Sequence, residues 1–224
     1  MGIISIEKSG RLFWLGRYTE RVFTTLKLFY SCFDEMLEKP DAYRTFLQEL
    51  TLPDIYDDAS DFASRYLFGR DNPDSICANL NRAYDNAIVL REDLTSEMQS
   101  YIQMALDRFR LAKTSSAPLM ALQPVLDDLY AFWGCALDCM ESEKLAILRC
   151  GQATERFDLY LRLHYAPQKI AQAYLRFEDS LGRVHLQKDR QQLGYLRTAM
   201  EQGAEPDESA KQLAIFNLEH ILQV

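Results

Sequence analysis

Trp14-Leu15-Gly16-Arg17-Tyr18-Thr19-Glu20-Arg21 is written a second time, 135 residues later, as Arg149-Cys150-Gly151-Gln152-Ala153-Thr154-Glu155-Arg156. Gly16, Thr19, Glu20 and Arg21 recur as Gly151, Thr154, Glu155 and Arg156. The register holds downstream, where Leu26, Lys27, Leu28 and Tyr30 fall on Leu161, Arg162, Leu163 and Tyr165. Both copies lie in long proline-free segments, near 5–38 and 142–165, so both read as helices. The repeated Gly-x-x-Thr-Glu-Arg helix is the element around which the rest of the chain is organised.

Stepping the first copy at 100° per residue gathers Leu15, Val22, Leu26, Phe29, Phe33 and Leu37 on one stripe. Arg17, Glu20, Thr24 and Lys27 share the opposite face with Gly16. A glycine inside a helix costs roughly 0.5–1 kcal/mol relative to alanine. Bearing that cost twice, at Gly16 and Gly151, points to close approach of another backbone or a ligand.

A lone charged face reads as solvated, but the second copy argues otherwise. Glu155 is flanked on its own face by Leu148 and Leu159, with Arg162 beside them, while Phe157 and Leu161 occupy the opposite side. A helix apolar on both sides is central, and a carboxylate among leucines must be paired. Glu155 is therefore expected to meet Arg162 or an arginine of the other repeat, and Glu20 to meet Lys27, Arg17 or Arg156. Helices meeting at their glycines would gather both pairs into one polar cluster. A third segment carries Asn79, Arg82, Asp85, Asn86, Arg91, Glu92 and Glu97, which reads equally as a solvent-facing stripe or as a contributor to that cluster.

Outward from the repeat, the spacing predicts further helices. Asp41 caps 42–50, and Asp57 caps 58–68. Asn72 and Pro73 start a long helical pattern to Lys113, nicked near 93–95. Segments 119–140, 168–181, 183–202 and 207–222 follow, with a turn at 203–206. No stretch alternates with period two, and glycine (9) and proline (7) are few among the 224 residues. The expected architecture is all-α, one domain over residues 1–224, a bundle of eight or nine helices with short loops and mostly antiparallel neighbours.

Composition limits the function. Apolar residues form 48% and charged residues 26% of the chain, the balance of a globular protein. A net charge of −8 disfavours a general nucleic-acid binder. The start lacks a basic segment followed by a long apolar run, and Ile6 stands where myristoylation wants Ser or Thr. The longest apolar run, near 129–137, is about half the ~20 residues a membrane helix needs. No membrane partner is expected. The five cysteines (Cys32, Cys77, Cys135, Cys139, Cys150) contain no Cys-x-x-Cys pair and read as buried thiols of a cytoplasmic protein.

Nothing here resembles a phosphate-cradling loop, so neither ATP nor another cofactor is expected to bind this chain alone. His164, His185 and His220 are scattered, and Cys135 with Cys139, one turn apart, reads as two ordinary thiols before a metal site. No nucleophilic triad is visible. Leu213, Ile215, Phe216 and Ile221 of the last segment read as a cap on the bundle or as the face of a homodimer.

The repeated stretch Trp14–Arg21 resembles the opening motif of the bacterial alpha-E family. Asp71-Asn72-Pro73-Asp74-Ser75-Ile76, followed by Asn86, Arg91-Glu92 and Glu97-Met98, is similar to that family's middle block. Gly151-Gln152-Ala153-Thr154-Glu155-Arg156-Phe157-Asp158 with Arg162 is similar to its last. Gln152-Ala153 replaces an Arg-Tyr type pair, and Lys27 replaces an arginine. The resemblance implies a helical protein encoded beside, or fused to, an atypical ATP-grasp ligase-like protein, often with a transglutaminase-like one, in a system that makes or modifies peptide-like amide bonds. Three functions follow as expectations. The first is an accessory or scaffold protein to that ligase. The second is an enzyme with Glu20 and Glu155 as acid/base candidates and Arg17, Arg21 and Arg156 gripping a carboxylate or phosphate. The third is a plain interaction protein whose buried ion pairs fix helix register.

Overall fold

The computed structural model describes residues 4–201 and 208–221, and in them the chain forms ten helices. These are α1 (Ile6–Glu38), α2 (Ala42–Glu49), α3 (Ala59–Phe68), α4 (Ile76–Val89), α5 (Ser96–Ala112), α6 (Pro118–Cys139), α7 (Ser142–Arg162), α8 (Pro167–Gly182), α9 (Arg190–Glu201) and α10 (Glu208–His220). The described residues contain no strand, so the all-α expectation holds, with one or two more helices than expected. No described helix is long and apolar enough to cross a membrane.

Local chemistry sets the helix starts. Ser5, Asp58, Ser75 and Thr95 each accept a hydrogen bond from the backbone N–H three residues on, satisfying a donor the helix leaves unpaired. Pro118 and Pro167 open α6 and α8, where a missing N–H costs nothing. Several expected starts move. Asp58, one residue later than Asp57, caps α3, and Asp41 makes no side-chain cap. Asn72 forms a turn by accepting from Asp74 N at 3.0 Å, which leaves the α4 cap to Ser75. The long pattern from Pro73 to Lys113 divides at 90–95, because Thr95 caps a new helix. Pro124 sits inside α6 without ending it.

The segment expected to be helical from Arg183 stays extended as far as Asp189, whose backbone N–H donates to Ile221 O at 2.8 Å. Asp189 Oδ1 then accepts from Gln191 N and Gln192 N, so α9 begins there. The expected turn at 203–206 lies outside the described residues. Helix α7 stops at Arg162, short of Tyr165, because His164 adopts a left-handed φ of 48°.

The 33-residue α1 is the spine, about 50 Å long at 1.5 Å per residue. It packs on α7 and α4, with α2 and α6 adding smaller contacts. Helix α5 pairs with α6, α7 with α8, and α9 with α10. Leu15, Val22, Leu26 and Phe29 of the expected stripe are fully buried, whereas Leu37 is 73% exposed. Leu37 faces outward in the last turn of α1, and Met36 takes the inward position instead. Beside Phe29, the rings of Tyr43, Phe46, Tyr56, Phe62 and Tyr66 form an aromatic cluster that seats α2 and α3 against α1.

Candidate functional site

Helices α1 and α7 touch backbone to backbone at the two repeated glycines. A Cβ on Gly16 would overlap the Leu148 carbonyl oxygen and lie 3.0 Å from Gln152 N. A Cβ on Gly151 would overlap the Phe13 carbonyl oxygen and lie 3.2 Å from Arg17 N. Residue numbers rise together along the contact, from Phe13 against Gly151 to Glu20 against Arg156. The two copies of the motif therefore run in the same direction, related by a local two-fold.

That symmetry exchanges the charged side chains. Glu20 of α1 accepts from Arg156 Nε at 2.7 Å and from its Nη2 at 2.8 Å, a bidentate pair. Reciprocally, Glu155 of α7 accepts from Arg21 through Nε and, at 3.1 Å, through Nη2. The position before each glutamate's own arginine pair is matched as well. Arg17 Nε donates to Glu155 Oε2 at 2.6 Å, and its counterpart Gln152 donates to Glu20 Oε2 at 3.2 Å. Thr19 and Thr154 each turn their hydroxyl back onto the carbonyl four residues before, at 2.8 and 2.7 Å. The threonine, glutamate and arginine of each Gly-x-x-Thr-Glu-Arg copy thus all have hydrogen-bond partners.

Both glutamates are sealed, Glu20 at 1% and Glu155 at 0% exposure. Burial works against the Glu155 charge, but Arg21 and Arg17 overcome it and hold the carboxyl below its usual range. Burial likewise opposes the charge of Arg21, and Glu155 more than restores it. Asp158, one turn beyond Glu155, behaves differently. Burial raises its pKa despite Arg162, whose Nε donates to Asp158 Oδ1 at 3.0 Å, and the Glu155 charge adds to the rise.

Both glutamates are paired as expected, and of the alternatives each takes arginine from the other repeat, while Arg162 serves Asp158 and neither Lys27 nor Arg17 pairs with Glu20. The single polar cluster does not form. Glu155, Arg17, Arg21, Asp158 and Arg162 border a recess of about 230 Å³, and Glu20, Arg156 and Lys27 border a separate one of the same size. Lys27 lies two turns beyond Glu20 and is exposed, its ammonium 5.1 Å from the centre of the Phe23 ring.

The middle segment splits. Asn79 is buried on the first recess, and Asn86 accepts from Arg11 Nη1 at 3.2 Å in a shallow hollow beside Trp14 and Tyr18. Arg82 lies over the Tyr18 ring and donates to Pro73 O. Arg91 and Glu92 sit exposed in the turn after α4 and take no part, because the helix ends before it can carry them inward. Glu97 is exposed and accepts from Tyr101.

Asp158 and Gln152 also contribute, although neither is among the candidates that the sequence singles out. The spacing Glu155–Asp158–Arg162, three and then four residues, places all three on one helix face and carries that signal. Cys32, Cys77 and Cys150 are buried as expected, but Cys139 is exposed on the open end of α6, with its sulfur 3.9 Å from Cys135. No group of three or more potential metal ligands converges among the described residues.

A family model, Alpha-E, described as a predicted alpha-helical domain with a conserved ER motif, matches residues 9–201. Both Glu-Arg dipeptides, Glu20-Arg21 and Glu155-Arg156, fall within that span. No curated protein and no solved structure matches this chain. The match covers most of the sequence, and the chain belongs to the Alpha-E family.

Proposed function

We propose that this Alpha-E protein works as a helical accessory or scaffold protein to an ATP-grasp ligase-like partner in the synthesis or modification of peptide-like amide bonds. The partner comes from the family resemblance, with a transglutaminase-like protein as a further associate. The observation that supports a non-catalytic role is the complete engagement of both glutamates. A general acid or base must exchange a proton with substrate near neutral pH. Glu155 has two arginines on its oxygens, no exposed surface and a lowered pKa, so it neither reaches a substrate nor holds a proton to give. The Glu-Arg pairs instead cross-link α1 to α7, and the chain acts through its outer surfaces.

The test is reconstitution with an ATP-grasp ligase-like protein from the same genome. A stable complex, with ATP-dependent amide formation raised by adding this chain, is the expected result. Failure of the two proteins to associate would overturn the reading.

The recess walled by Arg17, Arg21 and Arg162 favours a second reading, an enzyme acting on a carboxylate- or phosphate-bearing peptide-like substrate. Turnover by the isolated chain, abolished in a folded Asp158→Asn variant, would establish it in place of the first.

A further inference from the structure

A further hollow, larger than the recesses at the crossing, is lined by neither Glu20 nor Glu155. It is a groove of about 850 Å³ lined by α7 and α8, with Leu137 of α6 and His185 of the non-helical stretch after α8 completing its wall. Its size is within the range of small-molecule and peptide sites. Its floor is made of small side chains, Ala146 and Ala153 on α7 and Ala173 on α8, which keep it open.

The walls carry a charge opposite to that of the protein. Arg149 and Arg156 come from α7, and Arg176 and Arg183 from α8 and its C-cap. Against them stand Glu143 and Asp179, so the groove is basic in a chain of net charge −8. Arg156 is committed to Glu20, and Arg183 to Asp179 through two contacts of 3.1 Å. The latter pair is exposed, and an exposed pair is readily exchanged for another anion. Arg149 and Arg176 are exposed and meet no acidic partner among the described residues.

We infer that this groove binds a short extended acidic peptide through its carboxylates. The spacing supports this class of ligand. Arg149 and Arg156 are seven residues apart, as are Arg176 and Arg183, so each row repeats at about 10 Å along its helix. An extended chain of the polyproline-II kind advances about 3.1 Å per residue with three residues per turn, which places every third side chain on one face against an arginine. The wall from Ser142 to Arg156 runs about 21 Å, the length of roughly six extended residues. Guanidinium groups grip carboxylates bidentately, and the aliphatic floor accepts the methylene stems between them. A nucleic acid would meet the repulsion of the remaining surface. The site is independent of the ligase partner proposed above, because binding is measured on the isolated chain.

The probe is fluorescein-labelled hexaglutamate, titrated with the full chain and read by anisotropy, with hexaglutamine and tripolyphosphate as comparisons. Hexaglutamate should bind saturably, hexaglutamine should not, and the affinity should fall as salt rises. Arg149→Glu with Arg176→Glu should lower the affinity about tenfold or more, while Lys39→Glu with Lys113→Glu, of equal charge change on other faces, should leave it nearly unchanged. All four positions are exposed, so circular dichroism should report intact helices in both variants. Equal losses in the two double variants, or binding of hexaglutamine as tight as that of hexaglutamate, would overturn the inference. Displacement by tripolyphosphate at lower concentration than by unlabelled hexaglutamate would also overturn it, by marking a compact polyanion as the better fit.

Discussion

Replacing Gly151 with alanine sets two effects of opposite sign against each other. In an isolated helix the exchange stabilises by roughly 1 kcal/mol. In this structure the new methyl group would overlap the Phe13 carbonyl oxygen and crowd Arg17 N at 3.2 Å. Both atoms are backbone within a long helix, so neither can swing aside. The α1–α7 gap must open on the order of an ångström to restore ordinary contact near 3.5 Å. Overpacking of this kind costs about 1–3 kcal/mol. Opening the gap also stretches the Glu20–Arg156 and Glu155–Arg17 hydrogen bonds, and charge-assisted bonds are worth about 1.5–3 kcal/mol each. Net destabilisation of about 2–4 kcal/mol is expected, seen as a fall of roughly 5–15 °C in Tm for a chain of this length. Gly134→Ala is the control. It lies inside α6, with nothing within 4 Å of an added Cβ, and should stabilise by about 0.5–1 kcal/mol. Urea unfolding of both variants reads the comparison. If Gly151→Ala stabilises as Gly134→Ala does, the close crossing is not what the repeated glycines serve.

Three further outcomes follow from the buried charges and thiols. Glu155→Gln leaves two arginines facing a neutral amide and should destabilise by about 3–5 kcal/mol at neutral pH in denaturant titrations. Because the folded Glu155 pKa is depressed, its contribution is present above the unfolded value of about 4.3 and is lost as pH falls, so the variant should also show a shallower acid-unfolding slope. Asp158 is raised, so its contribution has the reverse sign and weakens the fold as pH rises through the unfolded value of about 3.9; Asp158→Asn should cost far less at neutral pH, and a loss as large as that of Glu155→Gln would contradict the assignment. Burial pushes the Cys32 and Cys150 thiols up to about 12, whereas Cys139 is exposed; a thiol reagent on the native protein should label Cys139 first and Cys150 only on unfolding, as peptide mapping would resolve.

What could be read from the sequence was whatever local periodicity or repetition encodes. The duplicated motif was enough to place α1 and α7 together, because two glycines at equivalent helical positions have few physical explanations besides a shared crossing. It was enough also to require a cationic partner for each glutamate, since leucine neighbours forbid an unpaired charge, but it left same-helix and cross-repeat partners as alternatives. Helix starts were less legible. Asp57 and Asp58, or Asn72 and Ser75, are equally good caps by type, and the choice depends on where the chain must turn to pack. Arg91 and Glu92 sit in a stretch whose pattern continues through them; only the Thr95 cap ends that helix early enough to leave them in water. Glu20 and Glu155 appeared as one cluster because sequence gives the faces of each helix and not the side of the crossing on which a side chain emerges. The arginine groove was invisible for the same reason: Arg149 and Arg176 are ordinary exposed charges until α7 and α8 are laid side by side.

The two halves of the crossing are alike in geometry and unlike in charge. Glu20 has one arginine and a neutral amide, Gln152, where Glu155 has two arginines. Asp158 then supplies a second acid on the Glu155 side, and Arg162 a third guanidinium. Symmetry would have placed an arginine at 152, and in that position its guanidinium would add a further positive charge beside the arginine groove, which Gln152 also lines. The neutral residue there gives Glu20 a hydrogen bond beyond those from Arg156 and Thr24 without binding a ligand carboxylate more firmly at that point. Helix α7 thus serves two sites with one face each, a sealed one that fixes it to α1 and an open one that presents its arginines. A variant that loosens the first should weaken the second, since Arg156 is held at the edge of the groove by Glu20. Glu20→Gln should therefore lower hexaglutamate affinity even though residue 20 does not line the groove, and unchanged affinity in a folded variant would separate the two sites.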